Sequence, residues 1–164
     1  MNGLLIGRFQ PFHLGHLDAV LFGLARVDNL LIGIGSSNKH NEKKNPFSAT
    51  ERREMILLSL EPSVISRIKI FNIPDIDNHE KWTFEIDQIV PKYDIVFTNE
   101  EFTKTLFEKR QINVIQVTLK DREKFSGTNI RQLITDEKNW RNLVPQGTRK
   151  VLDKINATDR LKNM

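Results

Sequence analysis

Two short apolar runs, each ending in glycine, restrict the fold of this chain more than any other feature of its sequence. Residues 3–7 read GLLIG and residues 29–35 read NLLIGIG. The segment 14–26 between them carries leucine and valine at helical spacing. Short apolar runs are typical of strands buried on both faces, and parallel strands are joined by a helical crossover. The pattern therefore predicts a β-α-β unit at the start of the chain.

The alternation of strands and helices continues towards the end of the chain. Ser48 and Glu51 have the spacing of a capping box, for a helix that Pro62 ends. Further strands are predicted at 67–73, 94–98 and 113–117, and further helices near 80–90, 100–110, 128–136 and 148–157. The tail from about residue 158 is expected to fray. Five strands alternating with helices predict an α/β fold, a Rossmann-like doubly wound parallel sheet of about five strands with C-terminal helices.

Size and composition are those of an ordinary globular protein. The chain has 164 residues and neither a repeat nor a linker divides it, so one domain spanning 1–164 is expected. Hydrophobic residues make up 38% and charged residues 28%, which excludes a disordered chain. The absence of cysteine excludes thiol nucleophiles and disulfide frameworks. The first residues resemble neither a signal peptide nor a spanning helix, so we expect a cytoplasmic location and no membrane partner.

The segment GRFQPFHLGH at residues 7–16 follows the first strand, where ligands bind in open α/β sheets. His13 and His16 lie three residues apart at the start of a predicted helix. The free backbone N–H groups and partial positive charge of that helix terminus suit a phosphate. Gly15 removes a side chain between the histidines, and Arg8 adds a fixed positive charge. The segment therefore predicts a site for a phosphorylated ligand.

A second polar segment, SGTNIR at residues 126–131, is compatible with the same chemistry. Ser126 or Thr128 can cap a helix whose first turn offers N–H groups to phosphate oxygens, and Arg131 can hold a phosphate with two donors. On the residues alone, this segment indicates only a helix cap, and His13 and His16 are equally compatible with surface or capping residues.

The remaining residues bear on two other ligands, zinc and nucleic acid. A zinc site is disfavoured because only His40 and His79 remain to complete a set of histidine ligands. The net charge of +4 suits an anionic partner, which a nucleotide satisfies as well as a nucleic acid does. Charge alone leaves that choice open.

Three motifs together resemble one family. The string GRFQPFHLGH in its strand-to-helix context resembles the signature of the HxGH nucleotidyltransferase superfamily, and its Q-P-F form resembles the archaeal-type nicotinamide mononucleotide (NMN) adenylyltransferases. The segment at 126–131 resembles the S-G-T-x-I-R motif of that family, and NPFSATER at 45–52 resembles its N-P-F-[ST]-A-x-E-R stretch. The resemblance runs from residue 3 to about residue 147. It departs from the family pattern at Thr50 and in the lysine-rich segment 40–44.

The resemblance implies transfer of the adenylyl group of ATP to the 5′-phosphate of NMN, which gives NAD and pyrophosphate, with Mg²⁺ held mainly by the ATP phosphates and no metal held by the protein. The catalytic residues it implies are His13, His16 and Arg131. The ATP-binding residues it implies are Gly7, Arg8, Phe9, His13, Gly15, His16, Ser126, Gly127, Thr128 and Arg131. Arg8 and Arg52 would bind phosphates, and Asp75, Asn78 and Trp82 would bind NMN, with Trp82 stacked on the pyridine ring.

Two alternatives remain open from the sequence. One alternative keeps the chemistry and changes the acceptor to nicotinic acid mononucleotide, FMN or phosphopantetheine. A different class of protein, a non-catalytic nucleotide- or RNA-binding module, would use the positive charge without a reaction. The chain lacks a recognition motif for nucleic acid, so no nucleic-acid partner is expected. The family resemblance also implies a homo-oligomer, and a hexamer in particular.

Overall fold

A computed structural model describes residues 1–119 and 121–164 of the chain. Its centre is a sheet of five parallel strands in the order β3-β2-β1-β4-β5. The strands are β1 (Asn2–Gly7), β2 (Asn29–Ile34), β3 (Ile68–Asn72), β4 (Ile95–Thr98) and β5 (Asn113–Gln116). The register places Leu4 of β1 opposite Leu31 of β2 and Val96 of β4. The predicted Rossmann-like α/β fold with five parallel strands is confirmed.

Eight helices accompany the sheet in the described part of the chain. They are α1 (Leu14–Leu24), α2 (Ala49–Leu58), α3 (Pro62–Ile65), α4 (His79–Ile89), α5 (Glu101–Glu108), α6 (Gly127–Thr135), α7 (Gln146–Lys154) and α8 (Ala157–Lys162). A single 3-10 turn, Arg141–Leu143, lies before α7. The capping box at the start of α2 is confirmed, because Ser48 Oγ accepts from the Glu51 N–H and Glu51 accepts from the Ser48 N–H.

The helices cover both faces of the sheet. Adjacent strand residues point to opposite faces, and Leu4 and Leu5 accordingly belong to two separate buried clusters. The Leu5 cluster contains apolar residues of α1, α2, α6, α7 and α8. The Leu4 cluster contains Ile86 of α4 and Phe107 of α5. No described helix is long and apolar enough to cross a membrane.

Two details differ from the sequence expectations. The helix that begins after Ser48 ends at Leu58, and a separate short helix, α3, starts at Pro62, a residue whose missing N–H suits the first helical position. The tail expected to fray from about residue 158 forms α8 instead. Leu161 of α8 is buried, and the guanidinium of Arg160 pairs with both carboxylate oxygens of Glu51 at 2.7 and 2.8 Å. These long-range contacts order the tail.

The strand order locates the crevice of the fold. From β1 the chain moves outward through β2 to β3, then crosses to β4 and β5 on the other side of β1. The direction therefore reverses between β1 and β4. In sheets of this kind ligands bind outside the carboxyl ends of the strands at that reversal. A ligand site is therefore expected among the segments after β1 and β2 and the first turns of α1 and α6.

Candidate active site

The turn after β1 is strained and fully buried at its centre. Phe9 has a φ of 53° and is 1% exposed. A left-handed conformation costs a residue with a Cβ roughly 1–2 kcal/mol, and it persists where the surrounding structure holds it. The Phe9 ring lies over Gly7, whose position would bring a Cβ within 2.7 Å of the ring. Gly7 therefore leaves room for the turn to fold back on the strand.

His13 and His16 form the N-terminal cap of α1 by bonding to each other's backbone. His13 Nδ1 accepts from the His16 N–H at 3.3 Å, and His16 Nδ1 accepts from the His13 N–H at 3.1 Å. The two rings stack with centroids 3.6 Å apart. Each Nδ1 is an acceptor, so in the neutral ring the proton lies on Nε2. The cap therefore fixes the tautomer of both imidazoles.

Both imidazoles are neutral near pH 7. Burial lowers the pKa of His13 to about 4. Burial, and the repulsion of a charged His13, hold the pKa of His16 well below its usual value. Within residues 1–119 and 121–164, neither Nε2 has a hydrogen-bond partner. The pair therefore presents two N–H donors that carry no net charge.

Two helix N-termini converge beside these histidines. A Cβ at Gly15 of α1 would lie 2.9 Å from His13 Cε1 and 3.4 Å from Cβ of Phe125, just before α6. A Cβ at Gly127 of α6 would lie 2.9 Å from the carbonyl oxygen of Gln10. The two glycines thus let the N-termini of α1 and α6 lie close to the turn after β1. Neither helix has an acidic residue in its first turn, so the partial positive charge of both termini is left for a ligand.

Arg131 lies against the same turn. Its Nη1 donates to the Gln10 carbonyl oxygen at 2.8 Å, and its Nη2 lies 3.5 Å from Thr128 Oγ1. Burial and the nearby charge of Arg8 lower the pKa of Arg131. Ser126, and not Thr128, caps α6 by accepting from the Asn129 N–H at 3.1 Å.

Arg8 is the exposed member of the cluster that it forms with His13, His16 and Arg131. In the described ranges its side chain makes no hydrogen bond and no ion pair. The sequence predicted that Arg8, His13, His16 and Arg131 act together, and the structure places them around one turn.

Arg52, which the family resemblance assigns to a phosphate, is not exposed in the crevice as its charge suggested. The side chain is 0% exposed, and all five of its N–H donors bond to backbone carbonyl oxygens. A phosphate would have to displace these bonds. Sequence reasoning identified the charge correctly but had no measure of its burial.

Gln10 is a site residue that sequence reasoning missed. Its side-chain amide donates to the Phe47 carbonyl at 3.1 Å and accepts from the Phe47 N–H at 3.0 Å. Its own carbonyl receives Arg131, so Gln10 joins α6 to the end of the segment 36–47. The sequence did offer one signal for Gln10, namely a polar residue between Phe9 and Pro11. A buried amide needs hydrogen-bond partners, so such a residue links segments of the chain.

Asp75 follows β3 and holds the turn after β2. Its carboxylate accepts from Ser36 Oγ at 2.9 Å and pairs with Lys39 at 3.3 Å. Its backbone N–H donates to Asn38 Oδ1 at 3.0 Å. The carboxylate predicted to bind NMN is thus partly used by the protein itself.

Asn78 and Trp82 lie at the start of α4, on the opposite face of the sheet from α1. Asn78 Oδ1 caps the helix by accepting from the N–H groups of Glu80 and Lys81. Trp82 is half-buried and packs edge-on against Phe107, with ring centroids 6.4 Å apart. Neither residue is hydrogen-bonded to or stacked on the histidine pair among the described residues. The structure therefore brings Arg8, His13, His16 and Arg131 together, but it leaves Asn78 and Trp82 as a separate group.

A cavity of about 370 Å³ lies at the amino ends of β4 and β5, away from this cluster. Three of its polar lining residues bond to one another, since Asp87 accepts from Tyr93 at 2.6 Å and from Arg110. This arrangement ties α4 to the chain before β5.

Comparison with known proteins agrees with the geometry. The family model described as cytidylyltransferase-like matches residues 4–133. The nicotinamide-nucleotide adenylyltransferase of Thermococcus sibiricus is 37% identical over 164 residues, covering 99% of this chain and 88% of the relative. The enzyme of the same name from Methanococcus aeolicus is also 37% identical, covering 100% of this chain and 95% of the relative.

A solved structure shows the same fold. It is that of a bifunctional NMN adenylyltransferase/ADP ribose pyrophosphatase from Francisella tularensis, with a TM-score of 0.82 and 21% identity. It matches 99% of this chain, which spans 51% of that longer protein. The reciprocal histidine cap, the paired helix termini and the full-length relatives lead to one conclusion. The chain belongs to the cytidylyltransferase-like superfamily and, within it, to the nicotinamide-nucleotide adenylyltransferases of the archaeal type.

Proposed function

We propose that this protein is an NMN adenylyltransferase, which transfers the adenylyl group of ATP to the 5′-phosphate of NMN and releases pyrophosphate. The observation that carries the proposal is the pair of neutral Nε2–H donors at two converging helix N-termini, beside Arg8 and Arg131. Such an arrangement suits a polyphosphate, because backbone N–H groups, ring N–H groups and guanidinium groups all favour oxygen anions. The names of the full-length relatives support the choice of acceptor.

In the proposed reaction, an oxygen of the NMN phosphate attacks the α-phosphorus of ATP in line, and the bond to the bridging oxygen of pyrophosphate breaks. The attacking phosphate is already ionised near neutral pH, so no general base is needed. His13 and His16 donate to phosphate oxygens of ATP through Nε2–H, and Arg131 and Arg8 offset charge on the leaving pyrophosphate. The work of the protein is then positioning and charge stabilisation.

Magnesium enters this proposal as part of the ATP substrate. No group of three or more histidine or acidic side chains that could hold a metal occurs in the described residues. In the proposal, phosphate oxygens supply most of the ligands to Mg²⁺. The ion would offset phosphate charge during the transfer.

For the acceptor, we propose the segment after β3 and the start of α4. The half-buried ring of Trp82 would stack on the pyridine, and Asn78 and Asp75 would lie beside it. We also propose a homo-oligomer in the cytoplasm. Phe84 on α4 is 56% exposed and Phe102 on α5 is 51% exposed, and these are the side chains that we propose for contact with a second copy.

The test is a product assay with matched acceptors. The protein is incubated with ATP, Mg²⁺ and NMN, in parallel with nicotinic acid mononucleotide, FMN and phosphopantetheine, and dinucleotide products are separated by chromatography. NAD formed from NMN supports the proposal. Product from another acceptor alone would keep the transfer chemistry and overturn the choice of acceptor. Absence of any product from folded protein would contradict the reaction, and RNA affinity falling steeply with salt would then favour a binding module.

A further inference from the structure

The one fully buried guanidinium in the described residues belongs to Arg52, and backbone carbonyls surround it. Its Nε donates to Ser48 O at 3.1 Å, within its own helix. Its Nη1 donates to Arg8 O at 2.9 Å and to Gly35 O at 2.8 Å. Its Nη2 donates to Ser36 O at 3.2 Å and to Lys39 O at 3.3 Å. All five donors of the side chain are thereby used.

The four carbonyls bound by Nη1 and Nη2 belong to the segments that form the floor of the crevice. Arg8 follows the end of β1, Gly35 and Ser36 follow the end of β2, and Lys39 closes the turn after β2. A backbone bond from Gly35 N to Gly7 O, at 2.8 Å, joins the same two strand ends. Arg52 is therefore a single cross-link between two crevice-forming segments and α2.

Two arginines support the strained residue Phe9 from its two sides. Arg52 binds the carbonyl of the preceding residue, Arg8, and Arg131 binds the carbonyl of the following residue, Gln10. A left-handed phenylalanine persists only where its neighbours are held. The turn that is held in this way leads directly into the histidine cap of α1.

We propose that Arg52 is a positioning residue of the adenylyl transfer: it fixes the Arg8–Gln10 turn and the turn after β2 through their carbonyls, and it touches neither substrate. This inference rests on the proposed function for its reaction. It assigns to Arg52 a role other than the phosphate contact that its charge alone suggests.

The charge of Arg52 also bears on the crevice. Burial lowers the pKa of Arg52 to about 10, and the neighbouring Arg8 also lowers it, whereas Glu51 and Asp75 raise it. The group stays protonated at neutral pH. Its side chain bonds to no carboxylate among the described residues, so the five carbonyl dipoles stabilise the buried charge in place of water. A fixed cation therefore lies beneath the floor of the site.

The first test compares the variants Arg52→Lys and Arg52→Met with Arg53→Lys and Arg53→Met. Arg53 is the matched control, because it is the next residue of α2, is exposed, and donates only to Ile70 O at 3.1 Å. Turnover and the two KM values are measured well below the melting temperature of each variant. This choice separates a purely structural loss from a loss of positioning.

We expect both Arg52 variants to lose kcat by about ten- to a hundredfold, since a misplacement of about 1 Å costs that much. Lysine should rescue little, because an ammonium group has three donors and cannot span five carbonyls. A KM for ATP that rises alone, with activity largely retained by lysine, would overturn the proposal in favour of a phosphate contact. Full turnover in both Arg52 variants would overturn it as well.

Two further measurements avoid dependence on how the variants fold. In Arg52→Ala, added guanidinium ion should restore turnover at least severalfold, whereas the same ion should not raise the turnover of Arg53→Ala. In the wild-type protein labelled with ¹⁵N-arginine, the Arg52 Nε resonance should exchange slowly and stay unshifted on addition of ATP. A shift comparable to those of Arg8 and Arg131 would contradict the proposal.

The outcomes distinguish this inference from the proposed function. Wild-type protein and both Arg53 variants that make no NAD would contradict the function. The slow exchange of the Arg52 Nε resonance, and the absence of a shift on addition of ATP, could still be measured in that case. Active controls with unimpaired Arg52 variants would contradict the positioning role alone.

Discussion

The turn after β1 and the segment after β3 both follow the carboxyl edge of the sheet, but they are held in different ways. The first is fixed by bonds from distant parts of the chain, such as Arg131 and Arg52 to its carbonyls and Thr148 Oγ1 to Phe12 O at 2.7 Å. The segment that leads into α4 ends in a local cap at Asn78 and a half-buried Trp82.

The difference shows that the turn after β1 is held more rigidly than the segment after β3. Groups that stabilise a transition state must be in place before the reaction, because reorganisation during the reaction would cost activation free energy. A surface that stacks on an acceptor ring needs less precise placement. We therefore expect substitutions in the first region to affect mainly kcat, and substitutions in α4 to affect mainly the KM for NMN.

The largest effect is expected at His16. His16→Ala removes one Nε2–H donor and should lower kcat by about a hundredfold or more, as the loss of an oxyanion donor does. The KM for NMN should change little, and steady-state kinetics measure both. Asp18→Ala, at an exposed position two residues further along α1, is the control. Equal turnover in folded His16→Ala would show that the histidine cap is only structural.

The pH dependence of stability should report the buried histidine pair. The folded pKa of His13 lies below the unfolded value of 6.5, at about 4, so its contribution is present above pH 6.5 and is lost as the pH falls towards 4. Between pH 7 and 5 this should cost about 2 kcal/mol, seen as a lower melting temperature. His13→Asn keeps a capping acceptor but lacks this titration. A melting temperature with the same pH dependence in the variant would exclude His13 as its source.

Gly127→Ala tests the convergence of the two helices. The new Cβ would lie 2.7 Å from Arg131 Nη1 and 2.9 Å from Gln10 O, so the guanidinium must move. We expect kcat to fall about twentyfold, on the scale set by small misplacements of catalytic groups. Gln132→Ala, exposed on the same helix, should leave kcat unchanged. Unaltered kinetics in Gly127→Ala would mean that Arg131 need not sit where the structure places it.

Trp82→Ala addresses the other region and should have the smallest effect. Loss of ring stacking should raise the KM for NMN about tenfold, with the KM for ATP and kcat nearly unchanged. Trp82→Phe should recover most of the affinity, since it keeps a stacking face. If the alanine variant lowered kcat as strongly as His16→Ala does, the division between the two regions would fail.

Much of the fold followed from local patterns. The glycine-terminated apolar runs located β1 and β2, and the Ser48–Glu51 spacing located the start of α2, because these features depend on residues close in sequence. The ordered tail was not predictable in that way. Its Arg160–Glu51 pair joins residues 109 positions apart.

The same limit applies to the candidate site. The sequence grouped Arg8, His13, His16 and Arg131 because their motifs lie at helix starts, where backbone N–H groups are free, and the structure places them around one turn. Arg52 and Gln10 depend on tertiary burial, which reverses the meaning of a polar side chain. An exposed arginine is available to a ligand, whereas a fully buried one has to satisfy its donors within the protein.

The reciprocal cap of the two histidines also has a consequence for the heat of binding. Each ring carries its proton on Nε2 before any phosphate arrives, so neither has to take up or release a proton when the ligand binds or leaves. The two histidines should therefore contribute nothing to the buffer-dependent part of a calorimetric signal near pH 7.5. In these terms the two rings add no proton-linked step of their own to the binding of phosphate.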